Sequence, residues 1–443
     1  MRRRALTPCS GMPASRGPDG VLALGGVSLA AIARDPRFGT PSYVYDLDAI
    51  AAEARDLQAG FDGVPHLVAY AVKANSAGPI VETLVAEGCG ADVVSGAELA
   101  LALRCGVPAE MIVFSGVAKT DAELDLALGA GEAGIAAIQV ESVEEIGRIA
   151  ARARVVGRLA RVSLRINPAV EMGALDTHSY IATGHDEAKF GVPLASIGAA
   201  LDALTRAPEL ALVGVGSHVG SQLTATEGYL ASARAVFTFA REVRARFALR
   251  FVDGGGGFGI DYGEGCAVRP ADFIRATRAL QVEMGLGDLA LYCEPGRSLV
   301  GAHGVLVARV IQRKVAEPRR WTMIDAGMND LMRPALYQAR HRIVPVVLDP
   351  AAGVSSYRVV GPVCESSDDF GIHELPDGDL GEVAILDAGA YGYSMASRYN
   401  GRALPAEVFL RGGRVALAIA RQPADDWVRD RLSSVAVPPA PSR

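Results

Sequence analysis

The sequence predicts an α/β protein: a TIM-like (β/α)8 barrel joined to a second, mostly antiparallel β-sandwich or barrel domain. Three observations predict it. Eight short β-branched runs alternate with Ala/Leu/Glu/Arg stretches of helical period between residues 46 and 296. Beyond residue 297 the runs lengthen, alternate in polarity and are separated by Gly/Pro/Asp turns, as in an antiparallel sheet. The length of 443 residues, half of them hydrophobic, suffices for one large barrel and a further domain.

Taken in order, residues 1–18 carry Arg2-Arg3-Arg4 and then Pro8, Pro13 and Pro18 in place of an apolar run. They read as a flexible extension in which Met12 offers a second start. Residues 19–45 hold a short strand, a turn, a helix up to Arg37 and a strand from Thr40. This piece has no place in an eight-strand count, so it is assigned to the sheet domain. The barrel strands are read at His66–Lys73, Gly90–Ser95, Met111–Gly116, Ala136–Ser142, Arg161–Asn167, Leu212–Gly220, Arg250–Gly257 and Leu289–Gly296. The sheet domain continues over 297–432, with runs at Gly304–Val315, Trp321–Gly327, Arg342–Leu348, Ser356–Cys364, Glu382–Gly389 and Glu407–Ala420. A Pro/Ser-rich tail, 433–443, closes the chain.

The formal charge of −6, with no basic block beyond the first residues, argues against nucleic acid or an anionic membrane as partner. No stretch reaches the ~18 apolar residues of a membrane span. Six cysteines without CxxC pairing or metal-type spacing to the seven histidines read as free thiols of a cytoplasmic protein, with no metal. The expected ligand is small.

In a barrel of this kind the chemistry sits where strands end. Those ends carry Lys73, Ser95, Gly116, Glu141, Asn167, His218, the glycines 254–257 and Glu294. Lys73 leaves the apolar wall of Tyr70-Ala-Val-Lys-Ala-Asn75; it reads either as a strand-end lysine reaching water or as an amine whose desolvation lowers its pKa and frees it for a Schiff base. Asp253-Gly-Gly-Gly-Gly-Phe-Gly-Ile260 offers bare N–H groups after a strand, through Gly255, Gly256 and Gly257. It is either a plain turn or, at a seventh barrel strand, a phosphate monoester site. It has neither a Walker lysine nor the G-x-G-x-x-G spacing of a dinucleotide site.

A phosphate site and a Schiff-base lysine together point to pyridoxal 5′-phosphate, whose ring nitrogen stays protonated only beside a carboxylate. Glu294 is the candidate. His218 has the place to lie on the pyridine face, and Ser221 to add a hydroxyl to the phosphate. In the sheet domain Cys364 and Glu365 share a turn, Tyr391 sits in another, and the spacing of Arg333 and Tyr337 allows them to share a surface where a guanidinium would take a carboxylate.

These residues occur within a series of motifs: YAVKAN at Lys73, GADVVSGAEL from Gly90, FSGVAKT from Phe114, THSYIATG and EAKFG between Thr177 and Gly191, HVGSQ at His218, GGGFGI from Gly255, EPGRS at Glu294, DAGMNDLMRPALY, CES at Cys364, and DAGAYGYSMASRYNGR from Asp387. The series, from about Gly20 to Ala420, resembles the pyridoxal-phosphate decarboxylases with an alanine-racemase-like barrel, and the last three motifs favour their diaminopimelate branch. Departures are Ser217 before the histidine, Ala182 in the ATG stretch, the segment Glu171–Thr177, and the chain after Ala420.

The resemblance implies decarboxylation of meso-2,6-diaminopimelate to L-lysine and CO2, the last step of lysine biosynthesis. It implies that Lys73 holds the cofactor, His218 stacks on it, Glu294 pairs with its ring nitrogen, and Ser221, Gly257 and Tyr391 serve its phosphate. Arg297, Arg333 and Tyr337, with Tyr391, would take the substrate's distal carboxylate and Glu365 its ammonium, while Cys364 would return the proton after CO2 leaves. Cys364 and Glu365 would complete the other subunit's site, making the enzyme a homodimer. The alternatives are a decarboxylase of ornithine, arginine or lysine, a racemase, or a non-catalytic carrier of the cofactor. A racemase of this class sets an arginine where Glu294 stands, and a carrier lacks the sheet domain.

Overall fold

The computed structural model describes residues 14–168, 189–265 and 268–434. The extension through residue 13, the segment Glu171–Thr177, Ala182, most of the THSYIATG and EAKFG stretch, Cys266 and the tail from 435 lie outside the described residues. The chain forms two compact units: Asp46–Gly304 with Gly389–Ser394, and Ala14–Tyr45 with Val305–Ala388 and the chain from Met395.

Strands β1 (Ala14–Arg16), β2 (Leu22–Leu24) and β3 (Val27–Ser28) make a small antiparallel sheet, and β4 (Ser42–Asp46) follows. The barrel strands are β5 (His66–Ala71), β6 (Gly90–Val93), β7 (Ile112–Phe114), β8 (Ala137–Val140), β9 (Ala160–Arg165), β10 (Leu210–Gly216), β11 (Phe251–Gly256) and β12 (Ala290–Glu294). They pair in parallel in chain order, and β12 returns to β5, so the barrel closes. β6 and β8 run straight into helix caps at Ser95 and Ser142, and β7 reaches one at Thr120 after a short loop: the Ser95, Thr120 and Ser142 hydroxyls accept the N–H of Glu98, Glu123 and Glu145, each three residues on. Each of those glutamates in turn accepts a backbone N–H at the cap, which satisfies two orphan donors and fixes where the helix starts.

Because side chains alternate along a strand, every second residue faces the barrel interior. Toward the strand starts these are apolar: Leu67, Ala69 and Val113 pack with Met111 and Tyr292, and Phe251 stacks on Tyr292 with ring centroids 4.0 Å apart. Gly214 is what admits the Phe251 ring, since a Cβ there would lie 2.2 Å from it. Two positions after Gly90, Val113, Phe251 and Tyr292 come Asp92, Ser115, Asp253 and Glu294, all buried. The apolar plug therefore gives way to a polar layer at the C-terminal rim.

Gly389–Ser394, placed by the sequence pattern in the sheet domain, belongs to the barrel unit. Tyr391 donates its N–H to Ala74 O at 2.7 Å, Asn75 Nδ2 donates to Gly389 O at 2.9 Å, and a Cβ at Gly389 would meet Val300 O at 1.9 Å. These bonds join segments more than 300 residues apart, beyond the reach of local pattern.

The second unit continues through β13 (Gly304–Ala316), β14 (Arg319–Ile324), β15 (Ile343–Pro345), β16 (Val354–Val360), β17 (Asp369–Pro376), β18 (Glu382–Ile385), β19 (Ala406–Arg411) and β20 (Arg414–Ile419). They form a sheet in the order β17-β16-β14-β13-β4-β19-β20, with β18 pairing to β13 and β15. β13 pairs antiparallel with β14 and β18, as do β15 with β18, β16 with β17 and β19 with β20, whereas β14 and β16 run parallel. Val305–Ala308 and Val383–Leu386 are fully buried, and the Tyr43, Tyr45 and Phe409 rings stack in series.

Candidate active site

The polar layer of the barrel opens into a cavity of about 320 Å³, lined by Lys73, Ser115, Gly116, Arg165, Phe190, His218 and Glu294 among others. That is the lower end of the size range of small-molecule sites. Lys73 follows β5 in a single turn of 3-10 helix, Val72–Ala74, and its side chain is 36% exposed toward the cavity. Its Nζ donates to Asp92 Oδ2 at 2.6 Å, and Asp92 is wholly buried. Burial pulls the Lys73 pKa down, but the Asp92, Tyr391 and Glu294 charges and the Asp92 hydrogen bond outweigh it and raise the pKa above its ordinary value. The neutral, desolvated amine suggested by the sequence is thus corrected to an ammonium paired with a buried carboxylate. The sequence pattern showed the apolar wall but not the counter-ion facing it from β6.

Glu294, at the end of β12, is 4% exposed. Burial alone would raise its pKa, yet the hydrogen bond and charge of His218 and the charges of Lys73 and Arg165 hold it down at about 2. Its Oε1 takes the Ser115 hydroxyl at 3.4 Å, and His218 Nδ1 lies 3.6 Å from Oε2. One register step away, on β11, burial and the neighbouring Glu294 charge push Asp253 well above the carboxylate range. Two buried carboxyls are driven apart in pKa, one downward and one upward, a pattern that marks functional sites.

The glycines that end β11, with Gly257 just beyond it, pack their backbone straight onto this rim. Gly256 N lies 3.2 Å from His218 Nδ1, and a Cβ at Gly255, Gly256 or Gly257 would lie 2.3, 1.9 or 2.3 Å from the carbonyl oxygens of Ser217, Glu294 and Gly220. Gly255 and Gly257 have φ of +72° and +93°. Beside them, Arg297 donates Nη2 to Ser221 Oγ at 3.0 Å and Nη1 to the Tyr262 hydroxyl at 2.6 Å, with its guanidinium over the Tyr391 ring at 5.0 Å.

The barrel unit thus gathers Lys73, His218, Glu294, Ser221, Gly255, Gly256, Gly257, Arg297 and Tyr391. The donor set fits pyridoxal 5′-phosphate: an amine for a carbonyl, a buried anion for a protonated ring nitrogen, and hydroxyl and guanidinium groups beside the glycine backbone for a phosphate. The Gly255 N–H, read from the sequence as bare, is instead donated to Asp253 Oδ1 at 2.8 Å. Among the described residues the buried Asp92 Oδ1 and Asp253 Oδ2 have no hydrogen-bond partner, which marks polar capacity left over at this layer. Asp92, Ser115, Arg165 and Tyr262 were missed from sequence. The available signal was their period-two placement ahead of the strand ends and, for Tyr262, its place just after the glycine loop.

The other candidates belong to the sheet unit. Arg333 is 6% exposed and opens the short helix Arg333–Tyr337, which ends at Gln338 with φ +54°. Its Nη1 donates to His341 Nε2 at 2.8 Å, which leaves the His341 proton on Nδ1, donated to Leu386 O at 2.9 Å. Cys364 is an exposed free thiol whose N–H donates to Asn400 Oδ1 at 2.8 Å, and the exposed Glu365 takes the Tyr399 hydroxyl on Oε1 at 2.6 Å. Next to this turn, Met328, Met332, Tyr399, Asn400 and Trp427 line a second cavity of about 690 Å³. Asn400 sits at φ +56°.

The family model of the pyridoxal-dependent decarboxylases, pyridoxal binding domain, matches residues 47–301. The class of protein is therefore that of the barrel decarboxylases that use pyridoxal phosphate. The chain is 40% identical over 420 residues to the diaminopimelate decarboxylase of Zymomonas mobilis, covering 93% of this chain and 97% of that one, and 42% identical to that of Pseudomonas fluorescens, covering 87% and 91%. Among solved structures it matches the M. jannaschii diaminopimelate decarboxylase in complex with L-lysine with a TM-score of 0.87 at 34% identity (96% and 98% covered). It matches the Helicobacter pylori enzyme with L-lysine at 0.81 and 37% (88% and 96% covered). The chain belongs to the diaminopimelate decarboxylase family.

Proposed function

We propose that this enzyme removes CO2 from meso-2,6-diaminopimelate to give L-lysine, with pyridoxal 5′-phosphate as cofactor. The observation that carries the reading is the buried, ionised Glu294 beside the Lys73–Asp92 pair in a cavity of ligand size. When bound, pyridoxal phosphate supplies a cationic ring that accepts the electron pair left as CO2 departs.

In this reading Lys73 would hold the cofactor through its amine, releasing water from the cofactor's aldehyde. Asp92 Oδ2, 2.6 Å away, would take the Lys73 proton, and burial raises its pKa toward that role against the pull of the Lys73 charge. Glu294 would accept a hydrogen bond from the protonated ring nitrogen, and His218 would support that carboxylate and flank the ring. Ser221, Gly255, Gly256, Gly257 and Tyr391 hold the phosphate. Arg297, already bonded to Ser221 and Tyr262, serves an anionic group at the same wall. On the sheet domain Arg333, Tyr337 and Glu365 take the substrate's distal amino-acid group, and the Cys364 thiol returns a proton to the carbon that loses CO2. Because a carbanion needs a dry site while Cys364 and Glu365 are exposed in the single chain, they serve the site of a second copy, and the working enzyme is a homodimer.

Among the described residues no helix is long and apolar enough to cross a membrane. Four free thiols there support a cytoplasmic location.

The test is product analysis with purified protein, pyridoxal phosphate and meso-diaminopimelate, run beside L-ornithine, L-arginine and L-lysine. Lysine and CO2 from diaminopimelate alone support the reading, and turnover of another amino acid in its place overturns the substrate. Mixing Lys73→Ala and Cys364→Ala proteins tests the shared site. Random dimers recover about a quarter of wild-type activity if the residues act across copies, and none if each chain serves itself.

A further inference from the structure

Glu141, at the end of β8, has no part in the chemistry above, yet it is 4% exposed and both of its oxygens are occupied. Oε1 accepts the Gly116 N–H at 2.9 Å and Arg165 Nη1 at 3.1 Å, and Oε2 accepts the Gly191 N–H at 2.8 Å. Behind it, Glu145 takes the Glu141 N–H at 2.8 Å and Lys119 Nζ at 3.0 Å. That buried ammonium also donates to Gly116 O at 2.5 Å and Gln139 O at 2.8 Å.

Two carboxylates and two cations therefore neutralise one another inside the barrel rim. In front of them, Arg165 donates Nη2 to His218 O at 3.3 Å and stands 4.9 Å over the Phe190 ring. Gly116, Arg165, Phe190 and His218 all line the cavity. Taking four charges out of water is costly, and apolar side chains would fill the same space. What the charges add is a single geometry, because each oxygen has one set of donors.

We infer that Glu141 is a positioning residue for the cofactor cavity, holding the Gly116 loop, Arg165 with the His218 backbone, and Gly191 in one arrangement through a single carboxylate. Arg165 is also one of the cations that keep Glu294 ionised, so its placement reaches the ring-binding acid. The inference rests on reading the cavity as the pyridoxal phosphate site.

The experiment compares Glu141→Gln and Glu141→Asp with wild type. A glutamine has one acceptor oxygen, so its amino group must face either Gly191 N–H or the Gly116 and Arg165 donors. Fluorescence titration of the apoprotein with pyridoxal phosphate is expected to show ~10-fold or weaker binding for Glu141→Gln. In the loaded enzyme kcat falls on the order of 10- to 100-fold with KM for diaminopimelate little changed. Hydrogen exchange at Gly116 and Gly191 in the apoprotein speeds up. Glu141→Asp, which keeps the charge, recovers most of the cofactor affinity.

If both variants melt earlier but bind the cofactor and turn over as wild type does, the cluster is merely structural and the inference fails. Should Glu141→Gln not fold, the same titration and kinetics on Glu141→Asp decide: wild-type values overturn the inference, and a smaller loss of affinity and kcat with KM unchanged supports it. If wild-type apoprotein does not bind pyridoxal phosphate, the cofactor reading itself falls.

Discussion

The barrel cavity and the Cys364–Glu365 turn treat reactive groups in opposite ways. In the barrel Asp92, Glu141, Arg165, Asp253 and Glu294 are all buried, and the surroundings of Asp253 and Glu294 shift their pKa values in opposite directions. On the turn both residues are exposed, and their bonds run to Asn400 and Tyr399, with water competing for each of them. The barrel cavity is therefore preorganised within one chain, whereas the strength of the turn's interactions depends on what covers it. Low dielectric strengthens every interaction in the first region and leaves the second weak.

Four perturbations press on that difference. The largest is Lys73→Ala, which removes the amine and its pairing with Asp92. Decarboxylation measured as CO2 release is expected to fall by ~10³-fold or more, and the absorption band of lysine-bound cofactor to vanish. Next is Glu294→Gln, which deletes the buried anion and leaves His218 and Arg165 facing an amide. Steady-state kcat is expected to drop ~100-fold, and an unchanged kcat refutes its role at the ring nitrogen.

The third concerns stability. Burial raises Glu407 in β19 from 4.5 to about 7, against the Tyr45 hydrogen bond. Between those values the folded state binds more protons than the unfolded one, so stability is full below pH 4.5 and is lost as pH rises through 7. The loss is on the order of 2–3 kcal/mol. Glu294 has the opposite sign: its pKa of about 2 contributes stability that is present above 4.5 and lost as pH falls. Both tryptophans, Trp321 and Trp427, belong to the sheet unit, so urea unfolding followed by their fluorescence reads it selectively. Glu407→Gln should flatten the pH 5–8 dependence, and an unaltered slope assigns it elsewhere.

The smallest is Tyr399→Phe. Loss of one exposed hydrogen bond to Glu365 predicts a ~2- to 5-fold rise in KM for diaminopimelate. A 100-fold effect instead shows that the turn is covered in the working enzyme, and that the two regions differ less than the single chain suggests.

Much of this was legible in the residues. The eight-strand rhythm, the change of pattern after 297 and the lysine, histidine, glycine and glutamate strand ends follow from short-range periodicity. Strand ends of a parallel barrel converge whatever the intervening loops. Asp92, Glu141, Arg165 and Tyr262 were not read as site residues, because their importance lies in which neighbour each meets. The alternation that buries Asp92 is visible in GADVV, but the ammonium opposite it is 19 residues away, in the turn that follows β5. Ser95 and Ser142, by contrast, turned out to be helix caps, and the S-x-x-E spacing in both motifs carries that signal.

The sequence by itself determined the fold class, the order of the strands and which residue types stand at the rim, since these depend on local period and on closure. Only the tertiary structure decided the electrostatics of the rim: that Lys73 pairs with Asp92, that the Glu294 pKa is held down and that the Asp253 pKa is pushed up. It also decided that Gly389–Ser394 joins the barrel. Charge state depends on burial and on the sign of groups a few ångströms away, and chain segments far apart in sequence supply both.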